Sequence, residues 1–134
     1  MGIDKVDSKI KRQLIRFFFA GICAVLIDFV VYFMLVELLN VKYAIAKFIS
    51  FFSGTIVSYI INKLWTFEQK QKSPKQFWLF MILYTMTLGV NVGINALALI
   101  ILNNVLFAFI CATGASTVLN FIGQKYWVFK ERQL

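Results

Sequence analysis

One carboxylate lies deep inside an apolar run: Asp28, flanked by Leu26-Ile27 and Phe29-Val30. If that run crosses a bilayer, the charge costs a few kcal/mol on insertion scales, so such a residue has a partner or a function. Lys47 is the matching cation. At 1.5 Å of helix rise per residue, Asp28 lies about 18 Å beyond Arg16 and Lys47 about 24 Å before Lys63. The two depths differ by less than a lysine side chain can span. The pair reads either as a structural lock between two helices or as a substrate or proton-coupling contact. Asn91 and Asn95 stand one helical turn apart and share a face, with Asn91 at a depth similar to Asp28. They either hydrogen-bond helices together or line a polar track for a sugar.

A second polar layer combines Ser58, Asn62 and Lys63 with Asn120, Gln124 and Lys125, and Arg12 and Arg16 fall at a similar depth. Its cationic and amide donors suit a phosphate at the headgroup level. Trp65, Phe67, Trp127 and Phe129 read as a membrane-interface belt, with stacking against a sugar face as the alternative. Other chemistries lack their parts. The chain has no His, and Cys23 and Cys111 both sit in apolar runs, which argues against a metal site or a Cys/His nucleophile. There is no glycine-rich phosphate loop, and Asp28 has no second acid for a two-carboxylate glycosyl mechanism. An enzyme is the least supported class, and no cofactor is expected.

The elements that must position these residues follow from composition. Of 134 residues, 60 % are hydrophobic and 15 % charged, where a soluble domain carries about 25 % charged. A chain this short has too little interior for that much apolar surface, so the excess faces lipid. Four apolar stretches, about 14–39, 43–64, 77–102 and 106–126, each approach or exceed the ~20 residues that cross the hydrocarbon as a helix. The expected fold is therefore an all-α membrane protein of four transmembrane helices in one membrane domain spanning residues 1–134. It has an arm at 1–13, a loop at 65–76 and a tail at 127–134. The formal charge of +8 lies between the spans rather than along one polar face, which argues against nucleic acid. Twelve Lys and Arg fall on one side (the arm, the middle loop and the tail, including Lys130 and Arg132), against Lys42 and Lys47 on the other. The positive-inside rule then puts both termini in the cytoplasm. That imbalance, with no membrane Glu, argues against a small dual-topology drug exporter. The first span is too long for a cleavable signal and reads as an uncleaved anchor.

Displaced by 62 residues, Asn62-Lys63-Leu64-Trp65-Thr66-Phe67 falls on Gln124-Lys125-Tyr126-Trp127-Val128-Phe129. Six of the 22 pairs from Ala46/Ala108 to Phe67/Phe129 are identical, and Ser50, Gly54 and Ser58 fall on Ala112, Ser116 and Asn120. With a slip of one residue, Asp28 falls on Asn91. The reading is two parallel two-helix repeats able to close into a four-helix bundle; shared interface chemistry at two basic helix ends is the alternative. The four-residue spacing of Ser50, Gly54 and Ser58, and the Gly89/Gly93 pair, suit close helix packing within a bundle or across a homodimer.

These features resemble the GtrA-like family of small four-helix bacterial membrane proteins. The resemblance rests on Arg16-Phe17 opening span one, Asp28 within it, the Asn62–Phe67 ending of span two, and the stretch from Asn120 to Phe129 closing span four. It covers roughly residues 14–130. The chain departs from the family in having Ser58 and Gln124 where Asn is usual. The resemblance implies translocation of a polyprenyl-phosphate-linked monosaccharide, such as undecaprenyl-phosphate glucose, across the bacterial cytoplasmic membrane for cell-surface polysaccharide glycosylation. It also implies a membrane glycosyltransferase as partner. The competing role is a non-transporting anchor or accessory subunit that recruits or stabilises such a glycosyltransferase.

Overall fold

A computed structural model describes residues 2–130, which are helical with no strand among them; Arg132, counted above in the basic tail, lies outside the described residues. The chain divides into two compact units, the first ending at Lys70 and the second starting at Gln71. In the first, α1 (Gly2–Phe33) runs into a π-helical turn, Met34–Leu38, and α2 (Tyr43–Ile61) into another, Asn62–Thr66. In the second, α3 (Pro74–Leu102) is followed by α4 (Val105–Gly123) and a third π-turn, Gln124–Val128. Each unit is a helical hairpin. With their π-turns included, all four helices are long and apolar enough to cross a membrane. The residues before the first apolar run are not a separate segment: 2–13 form the opening turns of α1.

Local chemistry sets the turns. The Ser73 hydroxyl accepts a bond from the Gln76 amide (3.4 Å) and Pro74 fills the first helical position of α3, where its missing N–H costs nothing. Asn103 ends α3 at φ 49°, and the side chain of Asn104 accepts from the Phe107 amide at 3.0 Å to begin α4. Two asparagines thus make the whole connection, one in the left-handed conformation that Asn tolerates best after Gly. Asn40, at φ 53°, does the same work after α1, where the Val41 amide reaches the Leu35 carbonyl at 2.9 Å.

Each hairpin is held along one stripe. On α2 the buried positions recur every four residues, Ala46, Ser50, Gly54 and Ser58, and continue into Asn62 and Thr66. On α4 they are Ala108 and Ala112, then Gln124 and Val128, with half-buried Ser116 and Asn120 between them. The two stripes coincide at the 62-residue offset. Small side chains let the helix axes approach, which matters where lipid supplies no hydrophobic drive between helices. Large side chains such as Phe18, Phe29, Phe48, Ile100 and Val105 point outward, an arrangement only a hydrocarbon solvent stabilises.

Candidate functional site

The ion pair read from depth alone is present. The Lys47 ammonium donates to both carboxylate oxygens of Asp28, at 2.8 and 3.1 Å, and stands 5.9 Å from the ring centre of Tyr32. Gly54 permits it. A Cβ there would lie 2.7 Å from the carbonyl oxygen of Ala24 and 3.3 Å from Cβ of Asp28, so α2 meets α1 closely beside the carboxylate. The Asp28 side chain is mostly covered (19 % exposed), whereas that of Lys47 is 60 % exposed. The pair joins α1 to α2 while leaving its cationic half open to approach.

At the other end of the hairpin two arginines gather beside a cleft. Nη1 of Arg16 donates to the carbonyl of Trp65 (2.7 Å) and to Oε1 of Glu68 (3.1 Å), and its guanidinium lies 5.2 Å from the Trp65 ring centre. The first bond satisfies a carbonyl that the end of α2 leaves without a helical partner. Arg12 reaches the second oxygen of Glu68 at 3.5 Å. Ser8, Lys11, Arg12, Ile15, Arg16, Phe19 and Trp65 line a cleft of about 410 Å³. Of the expected phosphate layer, the structure therefore brings together Arg12 and Arg16, with Trp65 of the expected aromatic belt beside them.

Other members of that layer turn inward. Ser58 and Asn62 are buried in the hairpin, where Nδ2 of Asn62 donates to Ser58 Oγ (3.2 Å) and Thr66 Oγ1 donates to Asn62 Oδ1 (2.8 Å). Their position on the four-residue stripe explains this: they stitch the helix face that meets α1 rather than offering donors to a ligand. Lys63 is also largely buried, its ammonium 5.9 Å from the Tyr59 ring, while Lys125 lies 5.5 Å from the Tyr126 ring. The aromatic belt needs a correction. Trp65 and Trp127 are each 43 % exposed, but Phe67 and Phe129 are buried at 4 % and 1 %. Each phenylalanine follows a π-turn with wider i-to-i−5 bonding, Phe67 N to Asn62 O (2.9 Å) and Phe129 N to Gln124 O (2.7 Å), and the Phe129 ring packs 6.4 Å from that of Phe80.

The second hairpin carries neutral chemistry at the matching positions. Asn91 Nδ2 donates to Ser116 Oγ (3.0 Å) and Thr87 Oγ1 to Asn120 Oδ1 (2.9 Å). Asn91 thus opposes Ser116 as Asp28 opposes Gly54, as the slipped repeat requires. Asn95 is half-buried and makes no hydrogen bond with a described residue. Gln124 is fully buried, and neither atom of its amide has a partner among the described residues. Gly89 and Gly93 face open space, with no neighbour within 4 Å of where a Cβ would stand.

Three residues stand out only in three dimensions. Gln13 and Gln76 are both buried (3 % and 7 %); their 63-residue separation matches that of Asp28 and Asn91, so the first helices of the repeat carried the signal. Glu68 had none, because it sits in a polar loop that reads as solvated.

The chain matches the family described as "GtrA/DPMS, transmembrane domain" over residues 16–132. It is similar to the uncharacterized membrane protein YngA of Bacillus subtilis (strain 168), 34 % identical over 128 residues covering 92 % of this chain and 83 % of the relative. It is also similar to the uncharacterized membrane protein YwcD of the same organism, 28 % identical over 116 residues covering 83 % of this chain and 91 % of that one. No solved structure matches.

Proposed function

The chain belongs to the GtrA/DPMS transmembrane-domain family, and from that premise we propose that it carries a polyprenyl-phosphate-linked monosaccharide, such as undecaprenyl-phosphate glucose, across the bacterial cytoplasmic membrane for cell-surface polysaccharide glycosylation. The observation that carries this reading is the order of groups along α1. The guanidinium groups of Arg12 and Arg16, beside a mainly apolar cleft walled by Trp65, are followed by the Asp28–Lys47 pair inside the apolar span. The substrate has one anionic phosphodiester and a polar head that must both leave water. Guanidinium groups at the basic end, taken as cytoplasmic from the Lys/Arg bias, receive the phosphate. The ion pair, twelve residues on or about 18 Å of helix, then offers a charged donor and acceptor where hydrocarbon offers none, with Asn91 and Asn95 as neutral polar groups of the second hairpin.

The test is transbilayer movement of a polyprenyl-phosphate hexose in proteoliposomes holding only this protein. Movement by the wild type and its collapse in Asp28→Asn, with the fold intact, is the expected result. If folded Asp28→Asn and Lys47→Met variants both move the lipid normally, the relay is abandoned.

A second reading, an accessory subunit for a membrane glycosyltransferase, is favoured by one feature. The first turns of α1 carry Lys5 and Lys11 beside exposed Ile3 and Val6, outside the apolar run. Movement that occurs only when the glycosyltransferase is co-reconstituted, and is lost on deleting residues 2–10, identifies this role.

A further inference from the structure

Glu68 is the single acid between Glu37 and Glu131, and its backbone is as unusual as its position. It sits at φ 53°, in the left-handed region; the other two described non-glycine residues there are Asn40 and Asn103. Asparagine takes that conformation readily, whereas for glutamate it is a cost. The residue is fixed by the turn that ends α2, in which the Gln69 amide reaches back to the Lys63 carbonyl at 2.7 Å. Against this cost stands an ion pair with Arg12 and Arg16, half-exposed on the Glu68 side, and exposed pairs add little net stability. Stability alone therefore gives no reason for an acid here.

The surroundings do. Glu68 lies on the two arginines of the 410 Å³ cleft, whose remaining polar lining, Ser8 and Lys11, brings a third cation and no acid. Arg16 is held by its bond to the Trp65 carbonyl and by the Trp65 ring, independently of Glu68. The arginine pair beside this mainly apolar cleft is thus preorganised for an anion, and a carboxylate of the chain occupies its donors. A carboxylate and a phosphodiester carry the same charge and accept the same guanidinium bonds.

We propose that this arginine pair receives the phosphate of an anionic lipid headgroup, and that Glu68 is the resident competitor which the phosphate displaces. The inference rests on the reading that substrate phosphate is received at this end of α1. Exchange of one monoanion for another leaves the net charge at the arginines unchanged. The displaced carboxylate, tethered beside the site, returns when the phosphate leaves. A carrier needs this, since a site that binds too firmly does not release.

The experiment is a binding titration of the full chain in nanodiscs of neutral phosphatidylcholine, followed by tryptophan fluorescence. Farnesyl methyl phosphate, a lipid phosphodiester with a single charge, is one probe and inorganic phosphate the other. Glu68→Gln removes the charge at nearly constant shape; Glu68→Asn removes it and relaxes the backbone. Both are expected to bind the farnesyl phosphodiester roughly two- to fivefold tighter than wild type, the affinity equivalent of one exposed ion pair. Arg12→Gln combined with Glu68→Gln is expected to abolish that gain. Unchanged or weaker binding in both single variants, with melting temperature retained, overturns the proposal. So does an equal gain in Asp7→Asn, which would mark an effect of net charge alone. Inorganic phosphate binding as well as the farnesyl ester overturns the assignment to a lipid. Tighter binding by the Glu68 variants in a protein that moves no lipid in proteoliposomes leaves this inference standing and removes the transport reading.

Discussion

The first hairpin places full charges where the second places amides. Asp28 and Lys47 form an ion pair beside Gly54, and Arg12 and Arg16 share Glu68 at the basic end. In the second hairpin Asn91 opposes Ser116, Thr87 opposes Asn120, and Lys130 stands where Glu68 stands in the first. The helix contacts themselves are alike, with the same four-residue stripe ending in the same π-turn. The packing geometry and the electrostatics of a repeat are thus separable. Small residues on the stripe set how closely two helices approach, while the groups beside the stripe decide what each hairpin can hold.

The largest expected effect tests whether the charges of the first hairpin act as a unit. Replacing Asp28 with Leu strands an ammonium at membrane depth, and is expected to cost about 3 kcal/mol in unfolding free energy. Adding Lys47→Met should recover most of it, because no isolated charge then remains. Asn91→Leu, its counterpart in the second hairpin, should cost only about 0.6 kcal/mol, the mean for a hydrogen bond between membrane helices. Equal losses from Asp28→Leu and Asn91→Leu, in thermal or denaturant unfolding of the detergent-solubilised chain, would erase the distinction between the halves.

Next in size are the glycines at the two interfaces. Gly54→Ala drives a methyl against the Ala24 backbone at 2.7 Å, whereas at Gly123 the nearest atom, 2.5 Å away, is Cδ1 of the Leu83 side chain. Backbone cannot yield without moving a helix, so Gly54→Ala is expected to cost about 2–3 kcal/mol, the upper range for overpacking. A leucine can change rotamer, and Gly123→Ala should cost about 1 kcal/mol or less. Melting temperatures of the two variants, measured side by side, check the order.

The smallest effect carries the most informative sign. Asn62 and Gln124 are equivalent in the repeat and equally buried, yet Asn62 is hydrogen-bonded to Ser58 and Thr66 while the Gln124 amide has no partner among the described residues. Asn62→Leu should destabilise by about 1–2 kcal/mol, since it leaves two buried hydroxyls short of a partner. Gln124→Leu should stabilise by about 1 kcal/mol, since it removes an unpaired buried amide. Loss of stability in both would mean that Gln124 is satisfied by a bound water or ligand.

Much of this was legible in the chain. The excess of apolar residues dictated lipid as solvent, run lengths dictated four spans, and the 62-residue offset dictated that the hairpins share a design. Counting helix rise put Asp28 and Lys47 within reach of each other but left a structural pair and a substrate contact both open; the structure joins them. Tertiary structure alone decided which groups remain available. Ser58 and Asn62 looked like ligand donors, but they lie buried on the close-packed stripe and bond to each other along it. Phe67 and Phe129 looked like belt aromatics but are buried after the π-turns, while Trp65 and Trp127, two positions earlier, stayed partly exposed. Glu68 belonged to no pattern and gained a role only when the end of α2 folded back over the start of α1. Composition and periodicity determine the solvent and the period of a helix. The facing of a few residues at a helix end depends on how that end is hydrogen-bonded, which neither composition nor periodicity records.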